Sequence, residues 1–205
     1  MTTPCYPAGT VRALLETDHV SPATRAALRA RLDASPVVEP RFFTDAEFAT
    51  LRAVCVRLIP QDGLETPVEL AGSIDTRLAD GGGDGWRYDA LPPDGKAYRA
   101  GLAALEAVVR SGHGAGFEGL DGAAQDALLG AVQQGEISGW SGPPPDRWFE
   151  EVLAEVAEAY YAHPLAQEEI GYVGMADRPG WTRIGLDERE EREPLAVATG
   201  GADRG

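Results

Sequence analysis

Apolar positions recur at helical spacing in one segment of the chain after another. Between Phe42 and Pro60, Leu51, Val54, Cys55 and Leu58 fall at i, i+3, i+4 and i+7, with Arg52 and Arg57 off the stripe. That is the pattern of a helix burying one face. Thr44 and Glu47 are spaced for a capping box, in which each side chain takes a backbone N–H that the helix start leaves unpaired. Phe43 and Phe48 stand at the staple positions around it, and Pro60, lacking an N–H, ends the helix.

The same reading extends along the chain. Val11, Leu14 and Leu15 predict a short helix over 10–17, and Ser21 with Pro22 predicts a second one, running to about Leu32 and carrying Arg25, Arg29 and Arg31. An extended linker with Pro36 and Pro40 follows. Thr66, Pro67 and Glu69 combine capping-box spacing with an early proline, predicting a helix from Pro67 to Leu78 that buries Leu70, Ile74 and Leu78. The glycines of Asp80 to Gly85 predict a surface loop; no strand precedes them and no Gly-Lys-Ser follows, so a phosphate loop is excluded.

Lys96 to Arg110 predicts a helix through Tyr98, Leu102, Leu105, Val108 and Val109. Asp121 caps another that closes at Gly135. Asp146 caps the last long helix, with Trp148, Phe149, Val152, Leu153, Val156 and Tyr160 on its buried face and Glu151, Glu155 and Glu158 on a solvated one. No strand-like alternation and no internal repeat appears. The prediction is an all-α, single-domain irregular bundle of about six to eight helices. Residues 1–41 form an N-terminal helical hairpin and linker, 42–185 the helical core, and 186–205 a disordered acidic tail.

Charge narrows the function. The 205 residues carry a net charge of −15, and because residues 1–59 hold seven Arg against six acids, the acidic excess lies beyond them. Such a surface repels phosphate backbones and anionic membranes, and no run approaches the ~20 apolar residues of a membrane span. Two cysteines make no disulfide framework, and Cys55 on the apolar stripe reads as a small buried hydrophobe. The opening MTTPCYPAGTVRALL shows no signal-peptide pattern. A cytoplasmic location is expected from the chain's own sequence, with export alongside a partner left open.

The densest unusual stretch is YYAHPLAQEEIGYVGMADRPGW, Tyr160 to Trp181. His163 with Glu168 and Glu169 offers an acid–base or ligand set, but a metal centre needs three or four convergent ligands, and His19 and His113 stand alone. No nucleophile elbow, His-Glu-x-x-His helix or Cys-x-x-Cys pair is present. Irregular segments rich in Tyr, Trp, Met and Gly suit protein interfaces, since rigid aromatics bury area at small entropic cost. Tyr161, His163, Tyr172, Met175 and Trp181 are therefore the candidate partner-binding residues. The competing reading has Tyr172 and Trp181 pack the segment back on the bundle.

Taken in order, FFTDAEFATLRAVCVRLIPQD, TPVELAGSIDTRLAD, KAYRAGLAALE, FEGLDGAAQDALLGAVQQGE, WFEEVLAEVAEAYYAHP and IGYVGMADRPGW resemble the gluconate 2-dehydrogenase subunit 3 family, over about Phe42 to Gly185. The resemblance implies an accessory subunit without cofactor of its own, paired with a large FAD-dependent sugar or sugar-acid dehydrogenase of the glucose-methanol-choline type. In such complexes electrons pass on to a cytochrome subunit. Many members carry a twin-arginine export signal, whereas here Arg12 stands alone. Two other functions remain open from the residues: a small hydrolase or lyase using His163 with Glu168 or Glu169, and a free-standing ligand-binding bundle.

Overall fold

The computed structural model describes residues 6–34, 37, 39–62, 67–83, 88–178, 180–183, 185–186 and 188–193. Cys5, Thr66, Pro36, the end of the glycine-rich loop and the tail from 194 onward lie outside the described residues. Among the described residues the chain is all-α, with eight α-helices, one 3₁₀ turn and no strand. These gather into two compact units, residues 36–160 and residues 1–35 with 161–205.

The larger unit is built around the Phe42 to Pro60 segment. Helix α3 (Asp45–Leu58) packs against α4 (Leu70–Ala79), α5 (Asp94–His113), α6 (Gly122–Gln134) and the 3₁₀ turn Phe117–Gly119. The capping box forms as expected: Glu47 N–H donates to Thr44 Oγ1 at 3.3 Å and Thr44 N–H to Glu47 Oε2 at 2.9 Å. Phe43, Phe48, Leu51, Val54 and Cys55 are buried. Leu58, expected on the same stripe, is only half-buried. Burial also pushes the Cys55 thiol pKa far up, so it stays protonated.

One buried and one half-buried carboxylate position the loops around this core. Asp75, fully buried on α4, accepts the backbone N–H groups of Arg41, Phe42 and Phe43 at 2.7, 3.0 and 3.0 Å. The approach to the capping box is thereby set from a distant helix. On α5, Glu106 accepts the Thr50 hydroxyl at 2.8 Å and the Phe117 N–H at 3.1 Å, tying α3 and the 3₁₀ turn together.

Two helix starts and one helix face differ from the sequence expectation. Pro67 to Glu69 are not helical; the Gln61 side chain binds both the N–H and the C=O of Val68, and Glu69 itself caps α4 through Gly72 N–H while pairing with Arg52. In α7 (Pro145–Tyr161) the helical ladder already begins with Trp148 N–H on Pro144 C=O, so Asp146 lies inside the first turn instead of capping it. Glu151 and Glu155, expected in solvent, are drawn inward, while Leu153 is exposed. Glu155 binds Arg77 in a bidentate pair and accepts the Tyr98 hydroxyl at 2.7 Å. Burial opposes the Arg77 charge, but Glu155 and Asp94 outweigh it and hold its pKa above the usual arginine value.

Close packing between α5 and α7 rests on a glycine. A Cβ at Gly101 would lie 2.1 Å from Trp148 Nε1, so only glycine lets the indole lie on the helix there.

In the smaller unit, α1 (Thr10–Leu15), α2 (Pro22–Leu32) and α8 (Pro164–Glu169) surround a core of Tyr6, Val11, Leu14, Leu15, Val20, Leu28, Val173, Met175 and Ala176. The N-terminal hairpin thus shares its core with the chain after Tyr160. Ser21 caps α2 as the sequence predicts. Of the segment after Leu186, Glu188 and Glu193 make turn hydrogen bonds, and Glu190 accepts the N–H groups of Thr182 and Arg183, which holds its carboxyl down to about 2.

Candidate functional site

The segment from Tyr161 to Trp181 faces two ways. Its inner side completes the smaller unit. Glu168, buried on α8, accepts Gly9 N–H on Oε1 and Val11 N–H on Oε2, both at 2.8 Å, and so places its charge at the start of α1. Gly9 has φ of 87°, a left-handed conformation that a residue with a Cβ adopts at a cost. Asp177 does the same service for α2, accepting Ser21 N–H at 2.6 Å, Ser21 Oγ–H at 2.7 Å and Thr24 Oγ1–H at 2.9 Å. The Ser21 backbone and hydroxyl hold its carboxyl down to about 2.

His163 is also engaged in structure. It is the N-cap of α8, with Nδ1 accepting Leu165 N–H at 3.3 Å and Nε2 at 3.2 Å from Arg31 C=O. An acceptor at Nδ1 and a carbonyl at Nε2 describe the neutral ring protonated on Nε2. Burial lowers its pKa, consistent with that state, despite the Arg31 carbonyl. The imidazole and the Glu168 carboxylate therefore serve different helix ends. Glu169 lies half-buried on the last turn of α8. No group of three or more His, Cys, Asp or Glu suited to a metal ion occurs among the described residues.

The outer side exposes apolar groups. Tyr161, Ile170, Tyr172 and Trp181 are 47%, 50%, 51% and 37% exposed, a large share for aromatic and branched side chains. Gln167 joins two of them: its side chain donates to Tyr161 C=O at 3.1 Å and its C=O accepts Tyr172 N–H at 2.8 Å. Tyr172 folds over Gly174, where a Cβ would come within 2.2 Å of its hydroxyl oxygen. Trp181 lies beneath the Arg192 guanidinium, 4.1 Å from the ring centroid, and Arg192 also donates to Arg178 C=O at 2.6 Å.

Of the candidate partner-binding residues, Met175 is corrected by the structure. It is 5% exposed, inside the core of the smaller unit, because the turn after Gly171 directs Val173, Met175 and Ala176 inward. Tyr161, Tyr172 and Trp181 stand at the surface, with His163 half-buried beside Arg31. Ile170 belongs with them and escaped the sequence reading, because it follows the buried Ala166 by four positions and periodicity alone assigns it to the core. Among the described residues, no helix is long and apolar enough to cross a membrane.

A family model described as gluconate 2-dehydrogenase subunit 3 matches residues 45–184. No curated protein and no solved structure matches the chain.

Proposed function

The chain belongs to the gluconate 2-dehydrogenase subunit 3 family, and from that premise we propose that it is a non-catalytic accessory subunit that binds and stabilises an FAD-dependent sugar or sugar-acid dehydrogenase of the glucose-methanol-choline type. Membership itself implies a subunit of a dehydrogenase complex. The family match over 45–184 carries the proposal. The site geometry supports it: His163 and Glu168 are spent on helix ends, while Tyr161, Tyr172 and Trp181 stand exposed.

In this reading the flavin and the chemistry reside in the large subunit, electrons leave through a cytochrome subunit, and this chain carries neither flavin nor metal. Binding only the folded large subunit, it shifts that subunit's unfolding equilibrium by mass action. The exposed aromatics act as anchors, each able to carry more than ~2 kcal/mol when seated in a pocket.

Co-expression with a flavoprotein subunit of this type from the same genome tests the proposal. The expected result is co-elution with flavin absorbance, lost or weakened in Tyr172→Ala and Trp181→Ala, with the melting temperature of the isolated chain nearly unchanged. Stoichiometric flavin on the isolated chain after dialysis, or turnover without any partner, would overturn it.

A further inference from the structure

Helix α5 carries a charge pattern opposite to that of the whole chain. In a protein of net charge −15, the exposed charged residues of α5 are all cations, Lys96, Arg99 and Arg110. By contrast, those of α7 are acids, Glu150 and Glu158. At the N-terminal end of α5 lies a groove of about 610 Å³, lined mainly by Phe42, Pro93, Gly95, Lys96, Arg99 and Ala103.

The groove's walls are held before anything enters it. Phe42 is pressed against Gly95, where a Cβ would come within 2.7 Å of the ring. The Arg99 guanidinium lies 4.2 Å from the Phe42 ring centroid, donates to Phe42 C=O, and stands 3.9 Å from Glu47. The backbone of Phe42 is in turn fixed by Asp75 at 3.0 Å. Glu47, the one carboxylate in the lining, is engaged by Arg99 and by the capping box. Lys96 is exposed, is the only lysine in the chain, and makes no ion pair among the described residues. The site thus offers a preformed apolar floor with one uncommitted cation at its rim, and it asks for an apolar group next to a negative charge.

Building on the accessory-subunit reading, we propose that this groove receives a segment of the dehydrogenase subunit that presents an apolar side chain beside a carboxylate, the carboxylate pairing with Lys96. On a chain of net charge −15, most of the surface repels a partner carboxylate, and a local cation both removes that repulsion and fixes register. An ammonium left at a groove rim, rather than buried, avoids the desolvation cost of an interior ion pair.

The test uses the flavin-containing complex and the singular lysine. Carbodiimide treatment of the complex is expected to join Lys96 to an Asp or Glu of the flavoprotein, located by mass spectrometry. Lys96→Glu is expected to weaken association about tenfold or more, and Lys96→Arg to leave it within about twofold, since a rim charge acts through its sign. Arg110→Glu, which makes the same change of net charge away from the groove, should leave association near the wild-type value. If the complex forms but Lys96→Glu binds as tightly as wild type, or no more weakly than Arg110→Glu, the groove assignment is overturned and the accessory role stands. If no variant, wild type included, associates with the flavoprotein, both are overturned.

Discussion

Glu168 holds Val11: its Oε2 accepts the Val11 N–H at 2.8 Å across 157 positions of sequence, and its Oε1 accepts that of Gly9. One carboxylate on α8 therefore supplies the cap that α1 lacks, since Gly9 has no side chain to provide it.

Glu168→Ala is expected to destabilise the smaller unit by roughly 1–3 kcal/mol, the cost of leaving the buried Val11 N–H without its charged acceptor. Hydrogen exchange at the Val11 amide is the direct measurement. Protection there should fall while protection across α3 is unchanged; equal protection at Val11 in variant and wild type would show that the contact contributes nothing.

Two glycines in helices should respond in opposite ways. Gly101→Ala forces a methyl into Trp148 and is expected to cost about 1–3 kcal/mol by overpacking. Gly130, inside α6, has open space around a Cβ, so Gly130→Ala should stabilise by about 0.5–1 kcal/mol through helix propensity. Urea unfolding of the two variants decides it, and a gain from Gly101→Ala would contradict the close approach.

At the centre of the larger unit, Thr44→Ala should cost about 1 kcal/mol through loss of the cap. Leu51→Ala should cost about 2–5 kcal/mol, since that side chain is fully buried. The half-buried Leu58 should lose less on the same change. Thermal or urea unfolding that ranked Leu58 above Leu51 would contradict the packing of α3.

The His163 cap makes stability depend on pH in a defined direction. Its folded pKa lies below the ordinary value because burial disfavours the charge. The unfolded chain therefore takes up the proton first. The contribution of the neutral ring is fully present above about pH 6.5 and declines as pH falls through that value toward the folded pKa. His163→Asn keeps a capping acceptor but does not titrate. Between about pH 7.5 and 5.5 the wild type should lose stability relative to this variant, measured by denaturant unfolding; parallel curves would show that protonation does not reach the cap.

What the sequence determined by itself was local. The capping box at Thr44 and Glu47, the Ser21 cap and the glycine stop at Gly135 depend on residues within a few positions of one another, so their spacing is enough to read them. The all-α class followed from the same periodicity, and the resemblance over Phe42 to Gly185 agrees with the matched 45–184. Tertiary structure decided where the acids go. Glu151 and Glu155 have the spacing of a solvated face, yet Arg77 on α4 and Tyr98 on α5 draw Glu155 inward, and no local pattern announces a partner 78 residues away. The same holds for Asp75 beneath Phe42 and Glu168 beneath Val11, whose charges satisfy backbone donors supplied by another part of the chain. It also decided that Met175 is core while Tyr172, three residues before it, is surface: in an irregular segment the side-chain direction is set by turn geometry and by which residues the neighbouring helices can cover, and neither repeats with a period that a sequence displays.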